Sequence, residues 1–145
     1  MTTPADGLLA VHPEGIPAEL KALPAWVTWK GEERTSASGE TRVTKIPFTP
    51  DGTRKASSTK LEDWGPFEAA FETYEKGGVS GVGFVFSPSH GVVGVDLDHC
   101  IEGGELHPAA RRIVERFDSY TEVSVSGSGL HILVRGSLPW PGKRL

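Results

Sequence analysis

Two carboxylates and one histidine are the residues here whose types and spacing point to chemistry. Asp96 and Asp98 close the run VGVDLD. Side chains alternate across a strand, so acids two positions apart project to one face, while Val93, Val95 and Leu97 turn to the other and supply core. Paired carboxylates repel each other, and a cation between them relieves that repulsion. Oxygen donors in this number suit Mg2+ or Mn2+, which complete their shells with water and substrate phosphates. Such ions serve phosphoryl transfer by stabilising the attacking and leaving oxygens. A D-x-D alone is a weak signal, because acids are common where strands meet solvent.

The second constellation is SVSGSGLHILVRG. Gly127 and Gly129 alternate with Ser126 and Ser128, a composition that lets the backbone approach an anion and aim N–H groups at it. His131 then opens an apolar strand, from which an imidazole can donate to a phosphate. An ordinary hairpin turn with a surface histidine would read the same way in isolation. What shifts the balance toward chemistry is the pairing of both constellations within one domain.

The elements that must position these residues follow from periodicity and turn chemistry. Residues 17–24, PAELKALP, predict a short helix bracketed by prolines. AWVTWK and RVTKIPF alternate apolar with polar and predict a hairpin across the turn-rich RTSASGET. A helix is expected over 62–76, capped by Thr59, with Pro66 in its opening turns and Phe67, Ala70, Phe71 and Tyr74 at helical spacing. GVGFVF and VVGVDLD are expected to pair as a hairpin through SPSHG. Pro108 starts a helix to Phe117 with Ile113, Val114 and Phe117 on one face. YTEVSVS and LHILVR close the pattern as two strands. The order β-β-α-β-β-α-β-β predicts an α+β domain with helices packed on one largely antiparallel sheet. Residues 1–16 are expected to be a flexible arm, 17–136 the domain and 137–145 an irregular tail.

Composition bounds the function classes. The chain has 145 residues, 37% hydrophobic and 23% charged, as expected of one globular domain. No apolar run approaches the roughly 20 residues of a membrane span, and the N-terminus has no basic-then-apolar leader, so a cytoplasmic protein without membrane contact is expected. A single cysteine, Cys100, excludes an internal disulfide framework and a cysteine-cluster zinc site. The adjacent His99 and Cys100 lack the second pair a zinc site needs, so Cys100 is read as a small buried thiol. The net charge of −4 argues against a general nucleic-acid binder. Its distribution is uneven. Residues 30–60 carry seven Lys/Arg against four acids, whereas residues 61–118 carry eleven acids against four basics. A basic rim around an acidic metal site would account for this. Trp26, Trp29 and Trp64 are expected in the core, and Trp140, between two prolines, is a candidate surface for a base or a partner.

A D-x-D ending one strand and a small-x-His element opening another 33 residues later resemble the archaeo-eukaryotic primase superfamily. The similarity is closest to the N-terminal primase-polymerase domains of phage and plasmid replication proteins. It rests on PAWVTWK, TKIPFTP, RKASSTKLEDWGPFEAAF, GVGFVFS, VGVDLDHCIE and SYTEVSVSGSGLHILVRG, in family order across residues 17–136. The resemblance implies a palm-like, RRM-like sheet that polymerises nucleoside triphosphates on single-stranded DNA with Mg2+ or Mn2+, with a helicase domain or protein as companion. It implies Asp96 and Asp98 as metal ligands and Gly129-Leu130-His131 as the second motif, with His131 on the nucleotide's phosphates and Ser126 and Ser128 assisting. Lys45 and Arg54 or Lys55 align with basic positions of the family. The family's third motif, an acid on a later strand, has no match, since the fourteen residues after His131 hold no Asp or Glu. The expectation is a fragment, a natural short form, or a substitute ligand such as Glu122 or a partner's residue. Two alternatives stand beside the enzyme: a catalytically silent nucleotide- or single-strand-binding remnant, and a hydrolase with an aspartate nucleophile, which the His99-Cys100 sequence and antiparallel pattern disfavour.

Overall fold

The computed structural model describes residues 9–139. They form two compact units, one of Val11–Val85 and one of residues 86–139 together with residues 9–10.

In the first unit a short helix, α1 (Ala18–Lys21), precedes β1 (Trp26–Thr35) and β2 (Thr41–Phe48). These strands pair antiparallel across the expected turn, from Thr28↔Phe48 to Thr35↔Thr41. A longer helix, α2 (Phe67–Lys76), packs against β1 and against β3 (Gly81–Phe84), which completes a sheet of order β2-β1-β3. The expected start of the helix at residue 62 is not observed. Leu61–Asp63 makes a single 3-10 turn, Pro66 is the cap residue, and the Thr59 hydroxyl pairs with Ser57 instead. Pro66 disfavours helical geometry at the residue before it, so the helix begins only after the ring.

The core of this unit is aromatic. Trp26, Trp29 and Trp64 are all buried, as expected. Trp26 meets Phe67 and Phe84 edge-on at 4.9 and 5.3 Å, and its indole N–H donates to the Leu20 carbonyl at 2.9 Å. Each fully buried large side chain contributes about 1.5–3 kcal/mol, and the indole donor is satisfied, so little is lost in return.

The second unit holds β4 (Val92–Leu97), the small strands β5 (Ile101–Glu102) and β6 (Glu105–Leu106), helix α3 (Pro108–Phe117), β7 (Thr121–Val123) and β8 (Leu130–Arg135). Its main sheet is antiparallel with order β4-β8-β7. The expected hairpin between GVGFVF and VVGVDLD does not form: β3 pairs with β1, and β4 pairs with β8. The reason is local. Ser87 caps a 3-10 turn at Pro88–His90 that ends on Gly91 in the left-handed region, which redirects the chain instead of folding it back. The strands therefore divide into two three-stranded sheets and the β5-β6 pair, where one sheet was expected.

α3 packs beside β8 through Ala110 and Val114, which join Leu97, Cys100 and Leu130 in one apolar cluster. Cys100 is the buried thiol expected of it. Ile113 and Phe117, expected on one face with Val114, are 37% and 44% exposed, because the helix turns its Ala110–Val114 edge to the core. No described helix is long and apolar enough to cross a membrane.

Candidate nucleotide and metal site

β4 shows the alternation that its sequence dictates. Val93, Val95 and Leu97 are half-buried, whereas Gly94 and Asp96 are exposed on the opposite face. Asp98 follows in the turn that ends the strand and is exposed too. On β8, Leu130 and Ile132 turn inward, and Ile132 is fully buried.

Antiparallel pairing then sets which residues meet. Asp96 lies directly across from His131, and His131 directly across from Glu122 on β7. Directly opposed residues share a face, so a row of acid, imidazole and acid crosses the sheet. His131 Nε2 is 3.6 Å from Asp96 Oδ1, and His131 Nδ1 is 3.3 Å from Glu122 Oε1. The imidazole is the more enclosed member, 32% exposed against 65% for the Asp96 side chain. Behind it the Tyr120 hydroxyl donates to Glu122 Oε2 at 2.8 Å. Burial, and then the adjacent Glu122, push the Tyr120 phenol well above its ordinary value, so it remains a donor.

The glycine-serine turn is tighter than its composition implied. The Ser124 N–H donates to the Gly129 carbonyl at 2.9 Å, the Gly127 N–H to the Ser124 carbonyl at 2.8 Å, and the Gly129 N–H to Ser124 Oγ at 3.0 Å. These amides hold the turn together instead of standing open to an anion. The turn presents hydroxyls instead: Ser124, Ser126 and Ser128 form a chain with Oγ–Oγ distances of 3.0 Å. Gly129 is buried beside the end of β4. A Cβ there would lie 2.8 Å from the Leu97 carbonyl oxygen and 3.7 Å from Asp98 Cα. Only glycine lets the turn sit against the strand that carries the acids.

The basic candidates lie in the first unit. Lys45, on β2, places its Nζ 5.1 Å from the Trp29 ring centroid. Arg54 pairs with the buried Asp63 at 2.6 Å. The Ser57 N–H and then Arg54 hold the Asp63 carboxyl below its ordinary range. Arg54 thus has a structural partner, and Lys55 bridges to Phe48 through the backbone. Trp140 lies outside the described residues.

Sequence reasoning named Glu122 only as a substitute ligand and overlooked Tyr120. The signal for their placement was the turn length: residues 124–129 between the strands set Glu122 opposite His131. Phe86 was also missed. Its ring lies where a Gly94 side chain would be, within 2.5–2.9 Å of a Cβ built there.

No family model matches the chain. It is 40% identical over 129 residues to the DNA primase-polymerase of Nitratiruptor phage NrS-1, an alignment covering 86% of this chain and 17% of that relative. The chain thus spans about a sixth of the length of the relative it matches, a similarity that supports a primase-polymerase relationship for this segment.

Proposed function

We propose that this chain is the nucleotide- and metal-binding part of a DNA-directed primase-polymerase, a nucleotidyltransferase that adds nucleotides along a single-stranded DNA template. The observation that carries this reading is the register of β4 against β8, which sets Asp96 beside His131 on one face. Asp96 and Asp98 are oxygen donors open to solvent, which fits a hard cation that keeps part of its shell for water and phosphate. These two residues would hold Mg2+ or Mn2+, which when bound stabilises the oxygens on either side of the reacting phosphorus.

The chain's own side chains do the positioning. With its other nitrogen engaged by Glu122, His131 donates from Nε2 to a phosphate oxygen of the triphosphate as the imidazolium, and the Ser126 and Ser128 hydroxyls donate from the turn. Gly129 keeps that turn close to the acids. Lys45, on the first unit, contributes as a cation toward single-stranded template. Nucleoside triphosphates and single-stranded DNA are the partners this reading requires, with a helicase as companion in replication.

One observation favours a second reading, a catalytically silent nucleotide- or single-strand-binding module. Among the described residues no group of three or more His, Cys, Asp or Glu is arranged to hold a metal ion, whereas transfer by two metals needs both reacting oxygens clamped. Primer synthesis and extension on single-stranded DNA with Mn2+, run beside calorimetric titration of a triphosphate, separate the two. The enzyme reading expects extension that Asp96→Asn abolishes and affinity that His131→Ala weakens. Affinity without extension selects the silent module, and neither signal refutes both.

A further inference from the structure

We infer that Glu122 is a positioning residue that fixes the orientation of the His131 ring, and that the Tyr120 hydroxyl holds Glu122 in place. The inference rests on the reading of His131 as the phosphate-binding residue and says how the fold prepares it. Three observations carry it. Glu122 is the directly opposed neighbour of His131, so its reach to the ring is set by backbone pairing and not by a flexible loop. Its two oxygens are divided between two partners, Oε1 facing His131 Nδ1 at 3.3 Å and Oε2 accepting from Tyr120 at 2.8 Å. Glu122 also does not complete a metal cage, since no three His, Cys, Asp or Glu among the described residues are grouped for one.

A carboxylate can only accept, so the bond requires Nδ1 of His131 to carry a proton. With Nδ1 occupied, the other ring nitrogen, Nε2, is turned toward Asp96 and the open face, where it donates to a phosphate when the ring carries both protons. A ring held at one edge loses less freedom when a phosphate docks on the other, the same logic by which carboxylates orient metal-bound histidines. The substitute-ligand role expected for Glu122 is thereby replaced by an orienting one.

The test uses the 145-residue chain, nitrogen-15 NMR of the imidazoles, and calorimetry with dATP. At a pH where the His131 ring is neutral, its Nδ1 should show the protonated signature in the parent and in Glu122→Gln, whose amide oxygen still accepts. In Glu122→Ala the neutral ring should lose its preference for Nδ1–H, and dATP affinity, read at a lower pH where the ring carries both protons, should fall about 10-fold because the ring is no longer held, with the rest of the amide spectrum unchanged. Tyr120→Phe should give an intermediate effect on both. An unprotonated Nδ1 in the parent, or a tautomer indifferent to Glu122→Ala, overturns the inference. His131→Ala without effect on dATP affinity would instead defeat the phosphate-binding reading, and the NMR result would still decide what Glu122 does to the ring.

Discussion

Replacing Gly129 by alanine puts a methyl group against a backbone atom that cannot rotate away. The new Cβ would sit 2.8 Å from the Leu97 carbonyl oxygen, where ordinary contact begins at 3.4 Å, so about 0.6 Å must be absorbed by the turn or by the end of β4. Ser124 Oγ at 3.3 Å and Asp98 Cα at 3.7 Å leave little room on the other sides. Forced insertion of a methyl into a packed site costs about 1–3 kcal/mol. For a chain of this size that lowers the melting temperature by about 3–12 °C. The displacement falls on the contact between the turn and the acid-bearing strand, so triphosphate affinity should fall beyond what the residual folded fraction explains. Far-UV circular dichroism melts and dATP calorimetry well below the new midpoint measure the two effects separately. Gly127→Ala is the control: that residue has a positive φ of 79° and no neighbour within 4 Å, so its cost is conformational and local. A Gly129→Ala protein that melts with the parent and binds dATP equally would refute the close-approach argument.

Three further outcomes are expected. Mg2+ or Mn2+ at ten times its Kd should stabilise the fold by about 1.4 kcal/mol, a shift that disappears in the Asp96→Asn, Asp98→Asn double variant; a persisting shift would place the ion elsewhere. Asp63 has its pKa lowered from 3.8 by the Ser57 N–H and Arg54, so its stabilisation is present above that value and lost as pH falls through the lower folded value. The stability gap between the parent and Asp63→Asn should accordingly narrow below about pH 3.8 in acid titrations, and a gap independent of pH would contradict the pairing. Ile132 is fully buried, so urea unfolding should show Ile132→Ala losing about 2–5 kcal/mol and Ile132→Val about 0.5–1.5 kcal/mol; near-equal losses would mean that the site is not packed as described.

Local patterning was enough to place the strand alternation at Asp96, the hairpin of β1 and β2, the start of α3 at Pro108 and the burial of the three tryptophans. Each depends on periods of two or 3.6 residues, or on proline geometry, all readable within a short window. The acid, the histidine and the glycine-serine turn were legible for the same reason. Only tertiary pairing decided the partners. β3 and β4 have matching alternation, but the Pro88–His90 turn redirects the chain between them, and β1 takes one and β8 the other because register is set by which buried faces meet. The same pairing brought Glu122 and Tyr120 to His131, residues whose role no periodicity could announce. It also decided that the turn's amides donate to carbonyl and hydroxyl oxygens of the turn itself, a question of hydrogen-bond accounting in three dimensions that composition leaves open.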